Sequence, residues 1–151
     1  MVFRKGQGAT EYLVLLAVVL IIALVSIALL GFFPGLSGDA RITQSDSYWR
    51  GTARPFAITD HVQTGTSLTL VLLNTESQSE TITNMTVGGV TPANLTATKF
   101  AGGQQMTLPV TFNEPNCAPG GTYEYNVTIQ YTAADGLDKV QTGSKTLIGK
   151  C

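Results

Sequence analysis

The chain has 151 residues, with nine lysines and arginines against ten aspartates and glutamates, and a formal net charge of −1. This length leaves room for one membrane segment and one domain of about 115 residues, near the usual domain size. Because only 13% of the residues are charged and no basic block follows residue 5, the composition argues against nucleic acid as a partner.

The N-terminus carries a short basic leader followed by a long apolar run. Arg4 and Lys5 precede Gly6, and almost purely apolar residues extend from Leu13 to Leu30. A helix needs about 20 apolar residues to cross a bilayer. A conventional signal peptide has a shorter apolar core and a small-residue cleavage site, which is missing here. The pattern favours a membrane helix with its basic end in the cytoplasm and the rest of the chain outside.

The segment between the leader and the apolar run is more specific. It reads Gly6-Gln7-Gly8-Ala9-Thr10-Glu11-Tyr12, with one acid just before the first leucines. This order closely resembles the class III signal peptide of archaeal type IV-like pilins, and the resemblance covers residues 1 to about 33. In that family a membrane peptidase cuts before a glutamine, and Glu-Tyr leads into a long apolar helix. The resemblance implies leader cleavage between Gly6 and Gln7 and assembly roles for Glu11 and Tyr12.

Cleavage would leave a new α-amino group beside the apolar stretch. A charged amine entering a filament core is costly unless it is paired. By analogy with the wider type IV pilin mechanism, the expected partner is the Glu11 carboxylate of a neighbouring subunit. The alternative is that Glu11 mainly positions the leader for the peptidase. The resemblance also implies the partners: copies of the chain in a helical filament, the prepilin peptidase, and an assembly platform with its ATPase.

The apolar helix is predicted to end at Pro34-Gly35, because proline and glycine terminate helices. The residues that follow are rich in Gly, Ser and Asp, which indicates a linker. We expect Tyr48-Trp49 in this linker to be a packing anchor rather than a ligand site. The predicted organisation is therefore a leader (1–6), a hydrophobic assembly or transmembrane helix (7–34), a linker (35–54) and an outer domain (55–151).

The outer domain is predicted to consist of β-strands, because short apolar runs alternate with polar residues and are separated by turn signals. Two runs alternate most clearly: Leu68, Leu70 and Leu72, and then Tyr123, Tyr125, Val127, Ile129 and Tyr131. Pro109 within another run indicates an edge strand or a bulge. About seven strands over roughly 95 residues are typical of an immunoglobulin-like sandwich. The predicted fold class is α+β, a long N-terminal helix followed by this all-β sandwich.

Two kinds of covalent modification are open to the outer domain. Cys117 and Cys151 could form a disulfide outside the cell and tie the C-terminus to a loop, and two free thiols are the alternative. Three Asn-x-Thr sequons start at Asn84, Asn94 and Asn126. They could carry N-linked glycans, and bare solvated asparagines are the alternative.

The sequence gives little support to catalysis. His61 is the single histidine, and because Phe56–Val62 is predicted to be a strand, we expect a surface imidazole rather than a catalytic base. Asp135 and Asp138 could contribute to a calcium site, but Asp-Gly between two strands favours a hairpin turn. No phosphate-binding glycine loop or zinc pattern occurs. We predict no enzyme activity, no cofactor and no metal.

Taken together, the sequence predicts a structural subunit of an archaeal type IV-like adhesion pilus. The chain would be held in the membrane by its helix, cleaved before Gln7 and polymerised through that helix into an extracellular filament that meets surfaces or other cells. The alternative is a membrane-tethered cell-surface binding module that does not polymerise.

Overall fold

The structure is a computed structural model that describes residues 7–93, 95 and 97–151, and for residue 7 and residues 31–37 it describes the backbone alone. The contacts divide the chain into two compact units, Met1–Ala40 and Arg41–Cys151. Residues 7–40 of the first unit are helical. The second contains every strand together with the hydrophobic core.

Helix α1 spans Gln7–Ser47 and is followed by a π-helical turn, Tyr48–Thr52. The prediction that the helix ends at Pro34-Gly35 and gives way to a linker is therefore wrong. Proline inside a helix removes one hydrogen bond and is unfavourable by about 3 kcal/mol. The residues from Arg41 onward belong to the same helix and are bonded to the β domain, as described below.

In the part of the chain that the structure describes, nine strands follow the π-helical turn, rather than about seven. They are β1 Phe56–Thr64, β2 Ser67–Asn74, β3 Glu80–Val87, β4 Thr98–Phe100, β5 Gln105–Thr111, β6 Thr122–Tyr125, β7 Val127–Thr132, β8 Asp138–Thr142 and β9 Leu147–Lys150. They form three antiparallel sheets with the orders β1-β2-β5, β4-β3-β7-β8 and β6-β9. The α+β class is confirmed, while the division into three sheets differs from a two-sheet sandwich.

The alternating runs face a common core, as their pattern predicts. Leu68, Leu70 and Leu72 are fully buried on β2. The Phe56 ring from the first sheet packs edge-on against Phe100 and Tyr131 from the second, at centroid distances of 5.6 and 5.5 Å. A single hydrophobic cluster therefore joins the sheets.

Two features of the strands show what the local sequence pattern predicts and what depends on strand pairing. Pro109 lies on β5, an edge strand, so the proline prediction is confirmed. The long run from Tyr123 to Tyr131 keeps its predicted alternation but is divided at Asn126. The first part, β6, pairs with β9, and the second part, β7, pairs with β3 and β8. One continuous apolar pattern thus crosses from one sheet to another.

Candidate functional site

The apolar part of α1 carries most of the large apolar side chains that are exposed in the described chain. Gly8–Leu30 is long and apolar enough to be inserted in a membrane or to act as a signal, and none of it is buried within the structure. Its large apolar side chains, from Tyr12 to Leu30, are 45% to 67% exposed around the whole helix. Within it, Ser26 Oγ donates to the carbonyl oxygen of Ile22 at 2.7 Å. Such a surface requires lipid or other apolar helices around it.

The residues assigned to processing and assembly lie at the start of this helix. Gln7 is the first residue of α1, and Glu11 and Tyr12 are exposed one turn further on. Gly6 lies outside the described residues. Cleavage before Gln7 and pairing of Glu11 between subunits both remain predictions.

The C-terminal end of α1, Arg41–Ser47, is bonded to the β6-β9 sheet within the second unit. Ser45 is buried, and its hydroxyl donates to the carbonyl oxygen of Thr146 at 2.7 Å. Ser45 Oγ also accepts a hydrogen bond from the backbone N–H of Ile148 at 3.0 Å. One serine side chain therefore bonds to two backbone groups, one just before β9 and one within it.

The π-helical turn adds an aromatic anchor. Trp49 is completely buried in the core, so the predicted packing role of Tyr48-Trp49 is confirmed. The phenol oxygen of Tyr48 accepts the backbone N–H of Ser144 at 3.0 Å. Gly143 lies directly against the indole, because a Cβ placed there would come within 2.4 Å of Trp49 Cζ2. The tryptophan thus requires glycine at this position.

A polar chain of three side chains joins the helix end to two strands. His61 Nε2 lies 3.1 Å from Asp46 Oδ1, and His61 Nδ1 lies 2.5 Å from the phenol oxygen of Tyr123. Since a carboxylate can only accept, Nε2 carries a proton, and in the neutral imidazole Nδ1 accepts from the Tyr123 hydroxyl. The expectation of a surface imidazole is wrong, because the His61 side chain is 7% exposed.

The reason for this error is a bulge in β1. The register between β1 and β2 shifts between Ile58 and Asp60. A shift of one residue moves the side chains that follow to the opposite face of the strand. His61 and Gln63 consequently point inward, where the strand pattern alone assigns them outward, and His61 meets the helix end at Asp46.

The order carboxylate–imidazole–hydroxyl is also that of a catalytic relay, but the Tyr123 hydroxyl is poorly suited to act as a nucleophile. Burial raises the pKa of Tyr123 well above its usual value, and the charge of Asp46 adds to the rise. The phenol therefore keeps its proton and serves as a hydrogen-bond donor. Tyr123 is also 3% exposed, which denies a substrate access. The arrangement positions the end of α1 on the domain.

An ion pair extends the attachment toward solvent. Arg41 Nη2 donates to both carboxylate oxygens of Glu124 at 2.8 Å. Thr146 Oγ1 donates to Glu124 Oε1 at 2.8 Å. The Thr146 hydrogen bond lowers the pKa of Glu124, burial opposes it, and Arg41 lowers it further. Because this pair is exposed, it adds orientation more than stability.

The structure joins Cys117 and Cys151 in a disulfide, the favoured alternative of the two that the sequence left open. Their Cα atoms are 5.3 Å apart. The backbone N–H of Cys151 also donates to the carbonyl oxygen of Gly121 at 3.0 Å. The end of the chain is thereby fixed to the loop that precedes β6.

The three sequons differ in their surroundings. Asn126 is exposed at the point where β6 passes into β7. Asn84 is half-buried on β3 beside a register shift. Asn94 lies outside the described residues. The position at Asn126 is the more accessible of the two that are described.

The acidic pair near the β7-β8 turn forms the predicted hairpin. Asp135 Oδ1 accepts the backbone N–H of Leu137 at 3.0 Å, and Asp138 Oδ1 accepts from Thr132 Oγ1 at 2.6 Å. The Leu137 hydrogen bond lowers the pKa of Asp135. Among the described residues no group of three His, Cys, Asp or Glu side chains could hold a metal ion.

Fold and site together define an α+β protein whose β-rich domain follows a helix suited to a membrane or a signal. No protein-family model matches the sequence, and no curated protein matches it significantly. A function must therefore be argued from the residues themselves.

Proposed function

We propose that this chain is a structural subunit of an archaeal type IV-like adhesion pilus. The helix would hold the subunit in the membrane, a prepilin peptidase would cleave it before Gln7, and an assembly platform with its ATPase would add it to an extracellular filament. The subunit would act by polymerising and would not catalyse a reaction.

The exposed apolar surface of Gly8–Leu30 is the observation that carries the proposal. Leaving such side chains in water is unfavourable by about 1.5–3 kcal/mol for each Leu, Ile or Val. In lipid this penalty disappears, and association then depends on close helix packing and on polar pairs. A helix that is apolar all round suits both environments in turn, first the bilayer and then the centre of a helix bundle.

Glu11 supports the filament over a simple membrane anchor. It lies on the first turns of α1, directly before the apolar surface, and its side chain is exposed. A free α-amino group at Gln7 of a neighbouring subunit would provide the opposite charge. A polar pair of this kind would fix the axial position of one helix against the next, which apolar packing alone does not do.

The β domain suits the outside of such a filament. Threonine and other polar side chains occupy the solvent face of its strands, and the disulfide is the covalent bond expected outside the cell. Glycans at Asn84, Asn94 or Asn126 would add to the outer surface. Each subunit would use different surfaces toward its neighbours above and below, the geometry of an open helical polymer.

The proposal is tested by the mass of the N-terminal peptide of this protein in filaments sheared from its native cells. A mature chain that begins at Gln7, recovered in filaments, supports leader cleavage and polymerisation. The Glu11→Gln variant then separates the two roles of the acid. Processing that continues while filaments are lost assigns Glu11 to assembly, whereas unprocessed chain assigns it to the peptidase.

The same exposed helix favours one other function, a membrane-tethered binding module. In that case the chain would remain in the membrane fraction and would still begin at Met1. Shearing would release no filament that contains it.

A further inference from the structure

One acidic side chain of the β domain breaks the pattern of its strand. Glu80 begins β3 and occupies the same inward face as Ile82, where the alternation calls for an apolar residue. It is 7% exposed. Its Oε2 is enclosed and has no hydrogen-bond partner among the described residues. A buried carboxylate is costly unless it is paired, so this unpaired oxygen requires an explanation.

Three other enclosed polar atoms also lack a partner, and they differ from Glu80 in charge. They are Trp49 Nε1, Gln63 Oε1 and the phenol oxygen of Tyr125. Each belongs to a neutral group, for which burial without a partner is far less costly than for a carboxylate. Glu80 is therefore the position at which a missing donor matters most.

Glu80 lines a cleft of about 350 Å³ between the start of β3 and the β7-β8 hairpin. Arg54, Glu76, Tyr131 and Lys139 form the rest of its polar lining. The two cations have other contacts: Lys139 Nζ lies 3.3 Å from Asp135, and Arg54 Nη1 donates to the Thr75 carbonyl at 3.5 Å. Two acids and two bases leave the cleft without a net charge, which disfavours a strongly anionic ligand such as phosphate.

The ring of Tyr131 forms one side of the cleft. Burial raises the pKa of its phenol; Lys139 opposes the rise, and the carboxylates of Glu80 and Glu76 add to it. The tyrosine therefore stays neutral, as a hydrogen-bonding hydroxyl beside an aromatic face. An aromatic face and a few convergent polar groups are typical of small-ligand sites.

A second cleft of about 550 Å³ adjoins the first at Ala133, which lines both. Lys99 adds one cation to this cleft, and the rest of its polar lining is hydroxyl and amide, from Ser77, Gln78, Ser79, Thr81 and Thr132. Such groups both donate and accept hydrogen bonds. They match the hydroxyl groups of a ligand better than they match a fixed charge.

We propose that these two clefts together bind a neutral sugar chain. On binding, the Glu80 carboxyl group turns from its enclosed position into the cleft and accepts hydrogen bonds from ligand hydroxyls. Tyr131 offers its ring, and the hydroxyl-lined cleft takes the next sugar units. This inference goes beyond the proposed function, since it holds whether or not the subunit polymerises. It gives the outer domain a ligand class, with Glu80 as the residue on which affinity depends most.

The test uses the full chain in a detergent without a sugar headgroup, titrated calorimetrically with neutral trisaccharides of glucose, mannose or N-acetylglucosamine. We expect saturable binding to at least one of them, and at least a tenfold loss of affinity in Glu80→Gln. The matched control is Glu114→Gln, which removes an exposed acid from the loop after β5 and should leave affinity unchanged. Glu80→Gln should also melt at the same temperature as the parent or above it, because the amide carries no charge to bury.

A second variant protects the test against misfolding. Glu76→Gln alters an exposed residue at the edge of the cleft and should weaken binding by a smaller factor, two- to fivefold. The proposal is overturned if no trisaccharide binds at 10 mM, or if neither variant weakens binding. Saturable binding of free glycine in place of sugars would also overturn it, since it would assign the mixed charges to a zwitterion.

Discussion

Replacing Ser45 by alanine should detach the end of α1 from β9 without altering the helix itself. The hydroxyl donates to the carbonyl of Thr146 and accepts from the N–H of Ile148, and Ser45 is 2% exposed. Its loss leaves these two backbone groups without that partner at a partly buried junction, where Ser45, Thr146 and Ile148 line a cavity of about 150 Å³. An unsatisfied buried group costs about 1–3 kcal/mol. We expect the free energy of unfolding of the β domain to fall by about 2–4 kcal/mol, given two such groups that relax in part.

Ser47 provides the matched control two residues further along the same helix. Its hydroxyl is exposed and donates to the carbonyl of Thr43 within the helix, at 2.8 Å. Ser47→Ala should change stability by less than about 0.5 kcal/mol. Because Trp49 is the single tryptophan of the chain and is buried beside this junction, its fluorescence during urea unfolding reports on the β domain. If both substitutions lowered the free energy of unfolding equally, the two buried hydrogen bonds assigned to Ser45 would be refuted.

Three further changes test other parts of the domain. Gly143→Ala should lower stability by about 1–3 kcal/mol, because its methyl group would overlap the Trp49 ring; Gly51→Ala, which has open space around it, is the control, and equal thermal midpoints would contradict this account. The pKa of Glu124 is lowered in the folded state, so its contribution is present above its usual value of 4.5 and is lost as the pH falls through the lower folded pKa. As the pH falls, the free energy of unfolding of Glu124→Gln should therefore decrease less than that of the parent chain. Parallel curves of unfolding free energy against pH would contradict this role of Glu124. Reduction of the disulfide should lower stability by roughly 3–4 kcal/mol in the chain-entropy treatment, and an unchanged urea midpoint in reductant would contradict that value.

The sequence predicted those features of the fold that are written in consecutive residues. Alternation along β2 identified its buried leucines, and Pro109 identified an edge strand, because both follow from properties of a single strand. The same pattern could not show that the run from Tyr123 to Tyr131 belongs to two sheets. That division depends on which strands arrive from elsewhere in the chain.

The end of the helix was missed for a related reason. A local rule places a helix end at Pro34-Gly35, and the rule fails because residues further along are held by tertiary contacts. Ser45 and Asp46 are short polar residues, typical of a linker by composition. Their hydrogen bonds to β9 and to His61 make them part of a helix instead. Sequence composition does not reveal such partners.

Three buried polar side chains differ in whether they have hydrogen-bond partners: Ser45, His61 and Glu80. The first two were also unexpected from the sequence, and each has two hydrogen-bond partners that explain its burial. Glu80 has an enclosed carboxyl oxygen with no partner among the described residues. Positions where local rules are broken without compensation inside the fold are expected to be functional or strained sites. The two satisfied residues attach the helix to the domain, and the unsatisfied one indicates where the domain meets a ligand.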